Sequence, residues 1–157
     1  QFKVAWRSFS IKSAIVDVEP GVPRTLSVDG NQLAVRLPKP KDGSVGLVVA
    51  NPCIISCRYS AVFAVKETLQ TVLDALGSRS QLDYWVTVGN NFFDLNGAKH
   101  REFFGALSLN ASSVPFGATL GQYDYWIEGS PDRAQEADSL GHGQVQWYAQ
   151  DAVSAEA

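Results

Sequence analysis

Methionine is absent from this 157-residue chain, and cysteine and histidine occur only twice each. A complete translation product starts with Met, so a chain that opens on Gln1 is expected to be a processed product or an excised domain. No apolar run approaches the ~18–20 residues that a membrane-spanning helix requires, and no basic leader precedes an apolar block in the manner of a signal peptide. The sequence holds no HxH, HExxH or CxxC, so it offers no familiar metal set. The cysteines are Cys53 and Cys57, with no histidine nearby. In an extended strand, residues four apart share a face but lie about 13 Å from each other, too far for a disulfide. Both are therefore expected to be reduced and close to the core.

Positive charge is scarce in most of the chain. Residues 1–41 carry seven Lys/Arg against three Asp/Glu, whereas residues 42–157 carry six against thirteen. From position 124 onward, Asp124, Glu128, Asp132, Glu136, Asp138, Asp151 and Glu156 face only Arg133. Such a surface repels a phosphate backbone, so no nucleic-acid partner is expected for this part. What is present is ordinary for a globular protein: 45% hydrophobic and 18% charged residues. The length fits one domain, taken as residues 1–150, with an Ala/Ser/Glu-rich tail at 151–157 that frays.

Period-two alternation dominates the pattern. Phe2, Val4 and Trp6 alternate with Lys3, Ala5 and Arg7, and the parity shift at Phe9 and Ile11 predicts a bulge near Arg7–Ser8. Leu26 and Val28 lead into Asp29-Gly30-Asn31, a hairpin turn, and Leu33, Val35 and Leu37 form the return strand. Val45, Leu47 and Val49 read as a strand ended by Asn51-Pro52, and the β-branched stretch 53–65 reads as another. Leu69, Val72, Leu73 and Leu76 fall on one helical face, which predicts a helix over 66–76 stopped by Gly77. Strands are expected again at 83–93, 102–110, 122–128 and 144–149. Eight or nine short strands around one helix predict an antiparallel β-sandwich of jelly-roll type. Its expected core includes Val4, Trp6, Ile11, Leu33, Val35, Leu47, Val49, Ile55, Leu69, Leu73, Val86, Val88, Leu107, Ile127 and Val145.

Three aromatic pairs stand out: Tyr84-Trp85, Tyr125-Trp126 and Trp147-Tyr148. Neighbours in a strand point to opposite faces, so one member of each pair must look away from the core. These six residues are the candidate interface or ligand-stacking positions. No catalytic set, cofactor site or metal site can be assigned. His100 and His142 could serve a hydrolase, but no GxSxG or other nucleophile setting accompanies them. Asn110-Ala111-Ser112 is a glycosylation sequon, relevant only to a secreted chain.

At the level of architecture the predicted sandwich looks like a viral jelly roll. That likeness implies a capsid shell or protruding domain, in a virion or outside the cell. Its partners would be further copies of itself, as a dimer or trimer, or a host-surface receptor or glycan. A carbohydrate-binding, lectin-like module, stacking sugar on aromatics with Asn90, Asn91 and Asp94 nearby, is the alternative, and a hydrolase built on His100 or His142 the second alternative.

Overall fold

The computed structural model describes residues 2–4, 7–9, 15–55, 65–92, 98–121 and 124, with the backbone alone at 2–4 and 7–9. Two short antiparallel hairpins come first. Strands β1 (Phe2–Val4) and β2 (Arg7–Phe9) pair Phe2 with Phe9 and Val4 with Arg7. The parity shift read as a bulge is thus a reversal of the chain. Strands β3 (Arg24–Val28) and β4 (Asn31–Val35) pair across Asp29 and Gly30, with φ of 48° and 84°. Two successive left-handed residues are what a tight primed turn demands, and Asp-Gly supplies them.

The rest of the fold corrects the sandwich expectation. Strands β5 (Gly46–Ala50), β6 (Tyr84–Val88) and β7 (Phe116–Thr119) form a three-stranded sheet in that order, and both of its pairings are parallel. Helix α1 (Val65–Ser78) lies between β5 and β6, and helices α2 (Ala98–Gly105) and α3 (Leu109–Ser112) lie between β6 and β7. The described residues are therefore mixed α/β. The physical reason lies at 98–112, where a strand was expected. His100, Phe103, Phe104 and Leu107 recur at i, i+3, i+4 and i+7, a helical face that outweighs the β-forming tendency of its aromatics. A helix in that connection allows β7 to return parallel to β6, which a tight hairpin cannot do.

The helix foreseen at 66–76 is present and somewhat longer, with Leu69 and Leu73 buried. Residues 51–55 are not a strand, because Asn51 and Cys53 take φ of 49° and 42°. The remainder of the segment read as a strand at 53–65 lies mostly outside the described residues.

All three helices cover one face of the parallel sheet. Leu69 and Leu73 of α1, Phe103 of α2 and Ala111 of α3 join Ile54, Leu82, Trp85 and Phe92 in one core, with Leu47, Val49, Leu107 and Phe116 against it. Parallel connections are almost always right-handed, so strands added in one direction place every crossover helix on the same side. On β6 the inward residues are Trp85 and Thr87 rather than the expected Val86 and Val88; Val88 is 43% exposed. Leu33, Val35, Leu47, Val49, Ile55 and Leu107 are half-buried, while Val4, Trp6, Ile11, Ile127 and Val145 lie outside the described side chains. Gly46 is small because the Tyr84 ring lies across it; a Cβ there would collide with that ring.

Candidate functional site at the carboxyl ends of the parallel strands

Beyond the last residues of β5 and β6, the chain keeps its parallel pairing while turning left-handed. The N–H of Asn51 donates to Val88 O at 3.0 Å, that of Cys53 to Asn90 O at 2.9 Å and that of Ile54 to Asn91 O at 2.7 Å. Gly89 and Asn90 take φ of 68° and 50°, and Asn51 takes 49°. Asparagine tolerates this region better than other side-chain-bearing residues. Here it also brings two carboxamides together, with Asn90 Nδ2 donating to Asn51 Oδ1 at 2.8 Å.

The third strand end is tied in by Asp124. Its Oδ1 accepts from the backbone N–H of Asn91 at 2.8 Å and, at 3.4 Å, from that of Phe92. Its Oδ2 accepts from the N–H of Gly121 at 2.8 Å and from Asn91 Nδ2 at 3.0 Å. Asn91 Nδ2 also donates to Thr119 O at 2.9 Å, which binds the β6 loop to the end of β7. Gly121 must be glycine, because a Cβ would collide with the backbone nitrogen of Asn90. Asp124 is 1% exposed. Burial pushes its carboxyl above the ordinary range, and the backbone donors of Gly121, Asn91 and Phe92, with the charge of His100, pull partly back.

His100 sits in the first turn of α2 and is 1% exposed. Its ring centroid lies 4.1 Å from that of Phe92 and 6.4 Å from that of Phe104. A residue so enclosed supports the loop rather than meeting a substrate. The same turn carries Lys99 and Arg101 and no acidic residue. Helix N-termini favour negative charge.

The aromatic candidates divide. Trp85 is buried, with ring centroids at 4.1 Å from Phe116 and 6.1 Å from Phe103, whereas Tyr84 is 38% exposed at the opposite end of β6 from Asn90. Tyr125, Trp126, Trp147, Tyr148 and His142 lie outside the described residues. Asn110 is exposed on α3. Among the described residues no group of three His, Cys, Asp or Glu could hold a metal ion, and no helix is long and apolar enough to cross a membrane.

The expectation of reduced cysteines is corrected: Cys53 is disulfide-bonded, and the chain's other cysteine is Cys57. The 13 Å separation assumed extended backbone, and the left-handed φ of Cys53 removes that premise.

The sequence pointed to Asn90 and Asn91 only as polar neighbours of a sugar-stacking face, and did not join Asn51 or Asp124 to them. The available signal was Gly89-Asn90-Asn91, a turn-forming triplet directly after an apolar strand.

A cavity of about 530 Å³ opens at the other end of the sheet, lined by residues that include Arg36, Lys39, Asp42, Ser80 and Asp83. Its charged groups hold the β3–β4 hairpin in place. Arg36 Nη2 donates to Asp83 Oδ1 at 2.9 Å and to Ser80 O at 3.0 Å, and Asp83 Oδ2 accepts from the N–H of Val45 at 2.8 Å. Comparison with protein-family models, curated proteins and solved structures finds no match.

Proposed function

We propose that this chain binds a small anionic ligand, of the phosphate-bearing class, off the carboxyl ends of β5, β6 and β7. The observation that carries the reading is the convergence there of Asn51, Asn90 and Gly121, with the first turn of α2 tied to the adjoining loop through the His100–Phe92 ring contact. Helix N-termini favour anions, because their first backbone N–H groups have no partner within the helix. Asn51 and Asn90 would orient the ligand by hydrogen bonding, Lys99 and Arg101 would supply charge, and Asp124 would hold the loops in register.

The capsid and glycan readings drew on a sandwich architecture, which the parallel sheet replaces, and on aromatics of which Tyr125, Trp126, Trp147 and Tyr148 lie outside the described residues. The hydrolase reading retains His100 beside the site, as a group that positions the Phe92 loop. The disulfide at Cys53 favours an oxidising compartment, which supports an extracellular location.

The test is isothermal titration of the full chain with inorganic phosphate and with a nucleoside monophosphate, repeated on K99A/R101A. Saturable binding that weakens about tenfold or more in the variant supports the reading. Absence of saturable binding to both probes, or equal affinity in the variant, refutes it.

A further inference from the structure

The cavity at the amino ends of β5 and β6 holds more polar capacity than the fold uses. Arg36 Nη2 is occupied by Ser80 O and Asp83 Oδ1, but no described residue accepts from Arg36 Nη1 or Nε. Those two contacts hold the guanidinium in place while its other donors stay available. Lys39 and Asp42 stand at the two ends of one turn, closed by the N–H of Asp42 donating to Lys39 O at 3.3 Å. A turn brings its ends within about 7 Å of each other. Even so, neither side chain has an ion-pair or hydrogen-bond partner among the described residues. Gly21, with φ of 80°, makes room for the Lys39 stem, since a Cβ there would collide with Lys39 Cγ. Beside these charges the lining is apolar: Val45 is 59% exposed and Leu37 37%.

We propose that this cavity is a second binding site, for a free α-amino acid with an apolar side chain. Arg36 and Lys39 take the carboxylate of the ligand, Asp42 takes its ammonium group, and Leu37 and Val45 pack against its side chain. Guanidinium and ammonium donors form their strongest hydrogen bonds to carboxylates. Asp42 is the carboxylate left for the ammonium group, because both oxygens of Asp83 are engaged by Arg36 and the N–H of Val45. The balance of charge selects the same class. Arg36 and Lys39 are matched by Asp42 and Asp83, so a zwitterion finds a partner for each of its charges, whereas a phosphate dianion also meets two carboxylates. The volume of about 530 Å³ lies within the roughly 300–1,000 Å³ of small-molecule sites. The cavity is at the opposite end of the sheet from Asn51 and Asn90, so this site is independent of the one proposed above.

The test is titration of the full chain with L-leucine, read by calorimetry and by amide NMR. Leucine amide, which lacks the carboxylate, and N-acetyl-leucine, which lacks the ammonium charge, are titrated beside it. The variants are Lys39→Gln and Asp42→Asn, whose side chains hold no described contact of the fold. The proposal expects saturable binding of leucine, with shifts at Leu37 and Val45 that inorganic phosphate does not reverse. Loss of one charge-assisted bond should weaken binding about tenfold or more for each analogue and in each variant. Absence of saturable binding up to about 10 mM leucine by both readouts would overturn it. So would equal affinity for either analogue, or unchanged affinity in either variant. Displacement of leucine by phosphate would also overturn it, by making the cavity a general anion site.

Discussion

Replacing Asp124 by alanine removes a side chain that joins the loop after β6 to the end of β7. Two backbone donors, the N–H groups of Asn91 and Gly121, lose acceptors at 2.8 Å, and Asn91 Nδ2 keeps only Thr119 O. A buried donor left without a partner costs about 1–3 kcal/mol. The Asn91 donor is buried and the Gly121 donor partly so, which gives a loss of about 1–4 kcal/mol, reduced somewhat because a buried carboxylate no longer has to be desolvated. Asp124→Asn should fall between the wild type and alanine. It keeps one acceptor oxygen but turns an NH2 group toward either Gly121 N or the pair of donors on the other side. Urea unfolding followed by tryptophan fluorescence measures both. A loss under about 1 kcal/mol for D124A would refute the reasoning, since it would mean that these donors find other acceptors.

Further perturbations follow from the same geometry. The folded-state carboxyl of Asp124 is raised above its unfolded value, so its contribution to stability is fully present below the unfolded value and is lost as pH rises through the folded one. Carbon NMR of the carboxyl should therefore give a midpoint above that of an exposed aspartate, and D124N should abolish that part of the pH slope; an ordinary midpoint would contradict the burial argument. Thr87→Val should be neutral or stabilise by about 0.5–2 kcal/mol, because Thr87 Oγ1 is buried without a hydrogen-bond partner; in thermal unfolding, a clear loss would show that the hydroxyl is bonded. Trp85→Ala should cost about 3–5 kcal/mol, as the ring packs among Phe103, Phe104 and Phe116. Little change in its urea midpoint would place Trp85 outside the core.

Local signals in the sequence were legible where short-range chemistry decides. Asp29-Gly30 determined its turn, and Leu69, Val72, Leu73 and Leu76 marked α1. The direction of β7 relative to β6 was not legible by the same means. It depends on whether 98–112 is helical, and aromatics at 103 and 104 suit strands and helices alike. The face of β6 was misjudged for a related reason. Val86 and Val88 are more β-prone than Thr87, but the volume beneath α1 and α2 is filled by Trp85, and parity then carries Thr87 inward. The site itself depends on three strand ends distant in sequence, Asn51, Asn90 and Gly121, which only the parallel register brings together.

The most direct measurement of the central claim is an amide NMR titration of the full chain with inorganic phosphate. The account predicts saturable shifts at Gly89, Gly121 and the side-chain amides of Asn51 and Asn90, with Arg36, Lys39 and Asp83 unmoved. Shifts confined to the cavity around Arg36 and Lys39, or none that saturate, would contradict it.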